Sequence, residues 1–282
     1  MKKQKVWFIT GASKGFGLEI AKAALAAGDK VVATVRTNPD SLRSVLSSDK
    51  DALVVTLDVS KEDQVRKGVE DAIAQFGRID VLVNNAGYGL LGATEEVSDA
   101  EVKRQYDTNV FGLLNVTRAV LPHMRSQHSG HIINIASLFG YLVSIPGFGL
   151  YSSTKFAVEG ISEGLALEVK PLGINVTSAA PGLFSTSFTS TDSYQPSAIV
   201  LDAYKGSVGG VRTAIGQAHG NQPGDPAKLA QVIIKVANAE NPPLHLPIGK
   251  DSVAAFRKKT EQMQKEVAEW ETVSASTDHS GK

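Results

Sequence analysis

Short runs of apolar, β-favouring residues alternate along this chain with longer stretches whose apolar residues return every three or four positions. Residues 5–10, 30–36, 53–57, 79–83, 131–136, 174–178 and 244–247 read as strands. Several are apolar at consecutive positions, as in Val81-Leu82-Val83 and Leu53-Val54-Val55, the pattern of strands covered on both faces. Between them, residues 17–27, 61–76, 99–124, 151–170 and 226–239 carry the helical period. In the first of these, Leu18, Ala21 and Leu25 form the stripe and Gly28 the stop. The alternation predicts βαβ crossovers, and hence an α/β fold: a doubly wound, seven-stranded parallel sheet with helices on both faces, one domain over residues 1–250.

Two regions break the pattern. Residues 183–225 are rich in Ser, Thr, Gly and Pro, and an insertion of that length predicts a lid or loop on the substrate side. Residues 251–273 follow the last strand. There Val253, Phe256, Thr260, Met263, Val267 and Trp270 recur at 3-4-3-4-3 spacing, which predicts an amphipathic helix. Such a helix packs on its own domain, covers the pocket or pairs with a second copy. Residues 274–282 read as a flexible tail.

Charge and composition narrow the function. The 282 residues carry 29 Lys+Arg and 29 Asp+Glu, so the formal charge is zero, which argues against non-specific nucleic-acid binding. With no Cys there is no disulfide framework, thiol nucleophile or cysteine-held metal, and a cytoplasmic location is expected. The apolar run after the basic N-terminus is too short for a signal-peptide core, and no membrane span is indicated. His123, His128 and His131 cluster in sequence without a matching carboxylate pattern, so they are expected at the surface and no metal site is expected.

Two constellations carry chemistry. The first strand runs into Gly11-Ala12-Ser13-Lys14-Gly15-Phe16-Gly17 and then a helix, where glycines let the backbone approach a phosphate and the helix end offers free N–H groups. The second strand ends in Val35-Arg36-Thr37 with no carboxylate until Asp40. Arg36, with Lys14 from the turn, suits a ribose 2′-phosphate, so NADP(H) is the expected coenzyme. Asp58, followed by Val59, is either an adenine-side contact or a helix cap. The second constellation is Tyr151-Ser152-Ser153-Thr154-Lys155. Tyrosine and lysine at i and i+4 share a helix face, and an ammonium stabilises a phenolate, making the phenol a usable acid/base. Ser137, fourteen residues earlier, ends the fifth strand, where open sheets place their ligands.

In this order and spacing the motifs resemble those of the short-chain dehydrogenase/reductase family, in its single-domain branch. The coenzyme turn is 10–17, Asn84-Asn85-Ala86-Gly87 is similar to the family's sheet-stabilising motif, and Pro181-Gly182 with Thr186 is similar to its nicotinamide turn. The resemblance implies a tetrad of Asn109, Ser137, Tyr151 and Lys155. Tyr151 would exchange a proton with the substrate oxygen and Ser137 would orient that oxygen. Lys155 would hold the ribose and lower the phenol's pKa, and Asn109 would hold a relay water. Phe184 stands in the turn where a β-branched residue is common. Tyr88, Phe139, Val143, Phe148, Phe184 and Phe188 are expected to line an apolar pocket, suited to a hydrophobic ketone, aldehyde or secondary alcohol. A homodimer or homotetramer is the family expectation. A non-catalytic NADP(H) sensor and an epimerase or dehydratase are the alternatives; the Tyr/Lys pair speaks against the first, glycine spacing and length against the second.

Overall fold

The computed structural model describes residues 4–46, 50–185, 194–218 and 222–279. Seven strands form one parallel sheet: β1 (Val6–Ile9), β2 (Lys30–Val35), β3 (Ala52–Thr56), β4 (Val81–Asn84), β6 (Gly130–Ile135), β7 (Ile174–Pro181) and β9 (His245–Ile248). Their order is β3-β2-β1-β4-β6-β7-β9, all pairs parallel, so the chain winds one way from β1 to β3 and then crosses back beyond β4. The crevice at that reversal, above β1 and β4, is where open α/β sheets bind ligands. All seven expected strands are present.

The sheet divides the core in two because its strands bury both faces. Helices α1 (Gly15–Ala26) and α8 (Pro226–Ala237) cover one face, packing Ile20, Ala24 and Ile233 against Ile9, Val31 and Val83. On the other, α3 (Glu62–Phe76), α5 (Leu113–Gln127) and α6 (Gly149–Val169) pack Val65, Val120 and Leu165 against Phe8, Leu82 and Ile132. Of the stripe read in α1, Ala21 is buried and Leu18 and Leu25 pack half-buried against this core, beside Ile20 and Ala24; fully burying a Val, Leu, Ile or Phe side chain contributes about 1.5–3 kcal/mol.

Four differences from the sequence reading bear on the site. First, the expected helix over 99–124 is α4 (Asp99–Tyr106), a π-helical turn (Asp107–Gly112) and α5. Second, α2 (Pro39–Leu46) follows β2, burying only Leu42 and Leu46. Third, the 183–225 region is not structureless. It contains β8 (Tyr194–Pro196), which pairs in parallel with β5 (Gly89–Leu91), and α7 (Gly210–Ala218). Fourth, His131 is buried in β6 and hydrogen-bonded to Thr177 Oγ1 at 2.9 Å, contrary to a surface histidine. Burial holds its imidazole down at about 4, hence neutral near pH 7.

The C-terminal helix is α9 (Lys250–Ala275), reaching into the stretch expected to be tail. Only its first turns pack on the domain, with Phe256 against Tyr141 at a ring-centroid distance of 3.5 Å. Met263, Val267 and Trp270 are more than half exposed, so among the described residues the distal helix neither packs on the domain nor covers the cleft.

Candidate active site

The glycine turn is closed by contacts that leave no room for side chains. Gly11 and Gly15 have φ of 64° and 57°, and a Cβ on Gly17 would stand 2.5 Å from Gly11 O and 2.6 Å from Asn85 Nδ2. Asn85 stitches the turn to the end of β4. Its Nδ2 donates to Thr10 O (2.9 Å) and Gly11 O (3.0 Å), while the N–H groups of Asn85 and Ala86 donate to Thr10 Oγ1. Behind it, Asn84 Nδ2 donates to Asn134 Oδ1 and Thr117 Oγ1, tying β4 to β6 and α5. The motif's two asparagines thus have separate tasks, one fixing the turn and one the sheet.

A cleft of about 900 Å³ opens over these strand ends. Gly11, Ser13, Lys14, Gly15, Phe16, Arg36, Asp58, Val59, Asn85, Ala86, Gly87, Pro181, Gly182 and Phe184 all line it, as do Ser137, Tyr151 and Lys155. Gly17 is buried beneath the turn. Lys14 and Arg36 are both among the cleft's lining residues, as are Thr37, Asn38 and Ser41. Asp40 turns instead to Arg43, 2.6 Å away. Asp58 borders the cleft, and its Oδ1 accepts from Ser60 N (2.9 Å) and Ser60 Oγ (2.7 Å); the N-cap of α3 is Lys61, so Asp58 closes the turn before that helix and does not cap the helix itself. Thr186 and Phe188 lie outside the described residues.

Tyr151 and Lys155 stand on α6, and Ser137 at the end of β6 caps a short 3-10 turn, its Oγ accepting from Phe139 N at 3.2 Å. All three side chains are buried. Burial drives the Tyr151 phenol well above its ordinary pKa, and hydrogen bonding to Ser137 pulls it back. The Lys155 ammonium lies 5.9 Å from the Tyr151 ring centroid and donates to Ile135 O at 2.7 Å. Burial lowers it to about 8, against the opposing field of Glu159. Asn109 sits within the π turn. Its Oδ1 accepts from Tyr88 N (3.0 Å), and its Nδ2 donates to Tyr88 O (3.0 Å) and Thr154 Oγ1 (3.1 Å). A Cβ on Gly87 would lie 3.0 Å from Asn109 Oδ1 and 3.8 Å from Lys155 Nζ, so Gly87 is the gap through which the two approach.

Of the expected pocket residues, Tyr88, Phe139 and Phe184 line the cleft. Phe148 stacks behind Phe139, with ring centroids 5.1 Å apart, and both meet the Tyr151 ring edge-on. Val143 does not belong there, being 47 % exposed. Phe184 packs edge-on against Phe16 at 5.3 Å, which makes it an anchor for the turn after β7.

Sequence reasoning missed the residues that hold the cleft's walls. Asp251 and Ser252, at the start of α9, fix the Pro181-Gly182 turn: Asp251 Oδ2 accepts from Leu183 N at 2.6 Å, and Ser252 Oγ donates to Ala180 O at 2.7 Å. Glu96, fully buried, accepts from Arg212 Nη2 (2.7 Å), Leu201 N (2.9 Å) and Ala93 N (2.7 Å), which pins the segment after β8 beside β5. Only the Gly-Lys-Asp-Ser sequence at 249–252, a helix-start pattern, hinted at the first pair. Among the described residues no group of three His, Asp or Glu side chains gathers to hold a metal, and no helix is long and apolar enough to cross a membrane.

Known proteins match this arrangement. The profile of the short chain dehydrogenase family matches residues 5–196. An oxidoreductase from Botryotinia fuckeliana, BOA17, is 37 % identical over 97 % of this chain and 99 % of its own. A 3-ketodihydrosphingosine reductase from Bacteroides thetaiotaomicron is 39 % identical over 87 % of this chain and 88 % of its own. A crystal structure of a short-chain dehydrogenase from Streptomyces avermitilis superposes with a TM-score of 0.90 at 41 % identity, covering 99 % of this chain and all of that one. Neighbours with coenzyme bound hold either type. A Brucella melitensis 3-ketoacyl-(acyl-carrier-protein) reductase is complexed with NADH (28 % identity, TM-score 0.72, 86 % and 95 % covered). A Burkholderia cenocepacia gluconate 5-dehydrogenase carries NADP and tartrate (30 %, 0.62, 66 % and 74 %).

Proposed function

Since the chain belongs to the short-chain dehydrogenase family and is an oxidoreductase, we propose that it is an NADP(H)-dependent carbonyl reductase for a hydrophobic ketone or aldehyde. The observation that carries this reading is the meeting, in one cleft, of the glycine turn with Ser137, Tyr151 and Lys155. A nicotinamide dinucleotide fits the residues present. Gly11 and Gly15, which carry no side chain, line the cleft, so the turn's backbone is open to a pyrophosphate, and α1 starts there with no side-chain cap on its first N–H groups. Lys14 and Arg36 both line the cleft, and the first carboxylate after the second strand, Asp40, is engaged by Arg43. The coenzyme, when bound, supplies or accepts the hydride.

The protein's part is proton management and geometry. Ser137 Oγ and the Tyr151 hydroxyl would both hydrogen-bond the substrate oxygen, and Tyr151 would give it a proton as the alcohol forms. Its raised pKa in the closed, apolar surroundings keeps the phenol protonated for that donation. Lys155, buried and cationic, favours the phenolate left behind. Asn109 holds the Tyr88 backbone beside the lysine and would steady a water relaying protons to it. Behind the cleft-lining Phe139 stands an apolar cluster with Leu91, Phe148 and Val208, and among the described cleft-lining residues the cations are Lys14, Arg36 and Lys155. That distribution favours an uncharged lipid-like or aromatic carbonyl, in keeping with the 3-ketodihydrosphingosine named for the Bacteroides relative. Residues 1–250 would form the catalytic unit, with 183–225 as its substrate-side insertion. A homodimer or homotetramer in the cytoplasm completes the reading, with Phe111, Phe156 and Leu167, exposed along the outer helices, as surface for pairing.

The test is NADPH oxidation against carbonyls graded in size and polarity, with Tyr151→Phe beside the wild type. The variant should bind NADPH normally and lose at least ~100-fold in turnover. Full turnover without the hydroxyl would refute the acid/base role, and turnover confined to small charged carbonyls would refute the substrate class.

A further inference from the structure

One turn beyond Lys155, on the same face of α6, lies a carboxylate that the reaction described above does not use. Glu159 is buried, 5 % exposed, where an ionised side chain costs several kcal/mol unless compensated. Its Oε2 accepts from the Tyr141 hydroxyl at 3.1 Å and lies 3.4 Å from His245 Nδ1, which itself contacts that hydroxyl. Its Oε1 is buried with no donor in bonding position, and the equally unpartnered Ser178 hydroxyl of β7 is the group that faces it. His245 Nε2 continues outward to Glu163, 3.6 Å away at the surface. Gly140 allows the close fit: a Cβ there would stand 3.0 Å from Lys155 O and 3.3 Å from Glu159 Cγ. The groups facing Glu159 are thus Lys155 and Glu163 on α6, Tyr141 after the 3-10 turn, His245 on β9 and Ser178 on β7. Helix α9 adds the uncharged Phe256, behind Tyr141.

We propose that Glu159 is a positioning residue for the reaction, the buried counter-charge that keeps Lys155 protonated, held in place by Tyr141 and His245. The inference rests on the oxidoreductase reading, in which Lys155 must be cationic to bind ribose and favour the phenolate. Burial alone pulls the lysine down, and the carboxylate is the group that opposes it. Burial also raises Glu159 itself, so the carboxylate is most fully charged on the alkaline side, where the lysine would otherwise lose its proton.

Glu159→Gln keeps the shape and removes the charge. Two pH profiles are measured with each protein: kcat/KM for NADPH-dependent carbonyl reduction, and NADPH affinity by fluorescence titration. The alkaline limb of both should move to lower pH by about one unit or more in the variant, and Glu159→Asp, which keeps the charge, should move it less. Tyr141→Phe, at a half-buried position, removes one donor to the carboxylate and should shift the limb in the same direction by less, which keeps the test available where Gln at 159 hinders folding. Alkaline limbs that coincide with the wild type's, whatever the change in kcat, would overturn the proposal. A wild-type protein that binds NADPH but reduces no carbonyl would refute the function instead, and the affinity limb would still decide on Glu159.

Discussion

A methyl group at Gly17 tests whether the coenzyme turn is as closed as the structure describes. In an exposed helix, Gly→Ala stabilises by about 1 kcal/mol, because alanine restricts the unfolded chain and favours the helix. At Gly17 packing opposes that gain. The new Cβ would lie 2.5 Å from Gly11 O, 2.6 Å from Asn85 Nδ2 and 3.0 Å from Ala12 Cα, and two of these are backbone atoms. They cannot retreat freely, since Ala12 N donates to Thr34 O at 2.8 Å and Gly11 O accepts from Asn85 at 3.0 Å. Overpacking of this kind costs about 1–3 kcal/mol, and loss of an Asn85 hydrogen bond about 1 kcal/mol more. The net expectation is a destabilisation of about 1–3 kcal/mol, or roughly 3–10 °C in melting temperature. The displaced turn should also weaken NADPH binding at least ~10-fold, equivalent to about 1.4 kcal/mol. Gly164→Ala is the control: it lies on an exposed face of α6 with nothing within 4 Å of its Cβ position, and should raise the melting temperature. Thermal melts and fluorescence titrations of the two variants decide the matter. If Gly17→Ala melts no lower than wild type and binds NADPH as tightly, the reasoning fails.

Coenzyme choice is testable at Arg36 rather than at its neighbour: Val35 borders the cleft but is only 2 % exposed, where a carboxylate would be costly, whereas Arg36 is exposed on the cleft. Arg36→Asp should raise the KM for NADPH at least ~10-fold and improve NADH, by loss of a charge-assisted contact; unchanged coenzyme kinetics would remove Arg36 as the selector. Glu96 is held down to about 2, chiefly by its hydrogen bond to Arg212 and then by the Leu201 N–H. A depressed folded-state pKa stabilises above the unfolded value and is lost as pH falls towards 2. Glu96→Gln should therefore melt below wild type at neutral pH, with the gap closing between about pH 4.5 and pH 2; a gap independent of pH would contradict the ion pair.

The parts of this molecule that could be read from its sequence share one physical property: their determinants are local. A strand buried on both faces declares itself by consecutive apolar residues, and the coenzyme turn by glycines that no other residue can replace. Tyr151 and Lys155 fall on one helix face because their spacing is helical. The π turn at Asp107–Gly112 did not show, because one extra residue per turn barely disturbs an apolar period over so short a span. Helix α2 and strands β5 and β8 are too short for periodicity to register. Val143 was misplaced for a related reason, since nothing in an apolar loop residue says which way it faces. Glu96 and Arg212 are 116 positions apart, and neither looks like part of a pair until the fold joins them.

That division has a functional consequence. The coenzyme half of the cleft stands on strand ends and is laced by backbone and asparagine hydrogen bonds spanning β1, β4 and β6. Its shape is therefore coupled to the global stability of the sheet. The substrate half hangs on a few side chains, chiefly Glu96 with Arg212, which reach outside the sheet. Those supports can open or be replaced without unfolding the strands. Substrate range can thus be altered by changing the segment from β8 to α7 while the hydride and proton chemistry stays fixed. The Gly17 and Glu96 variants separate the two cases: damage at Gly17 should appear in coenzyme binding and global melting together, whereas damage at Glu96 should fall on substrate KM before it reaches NADPH affinity.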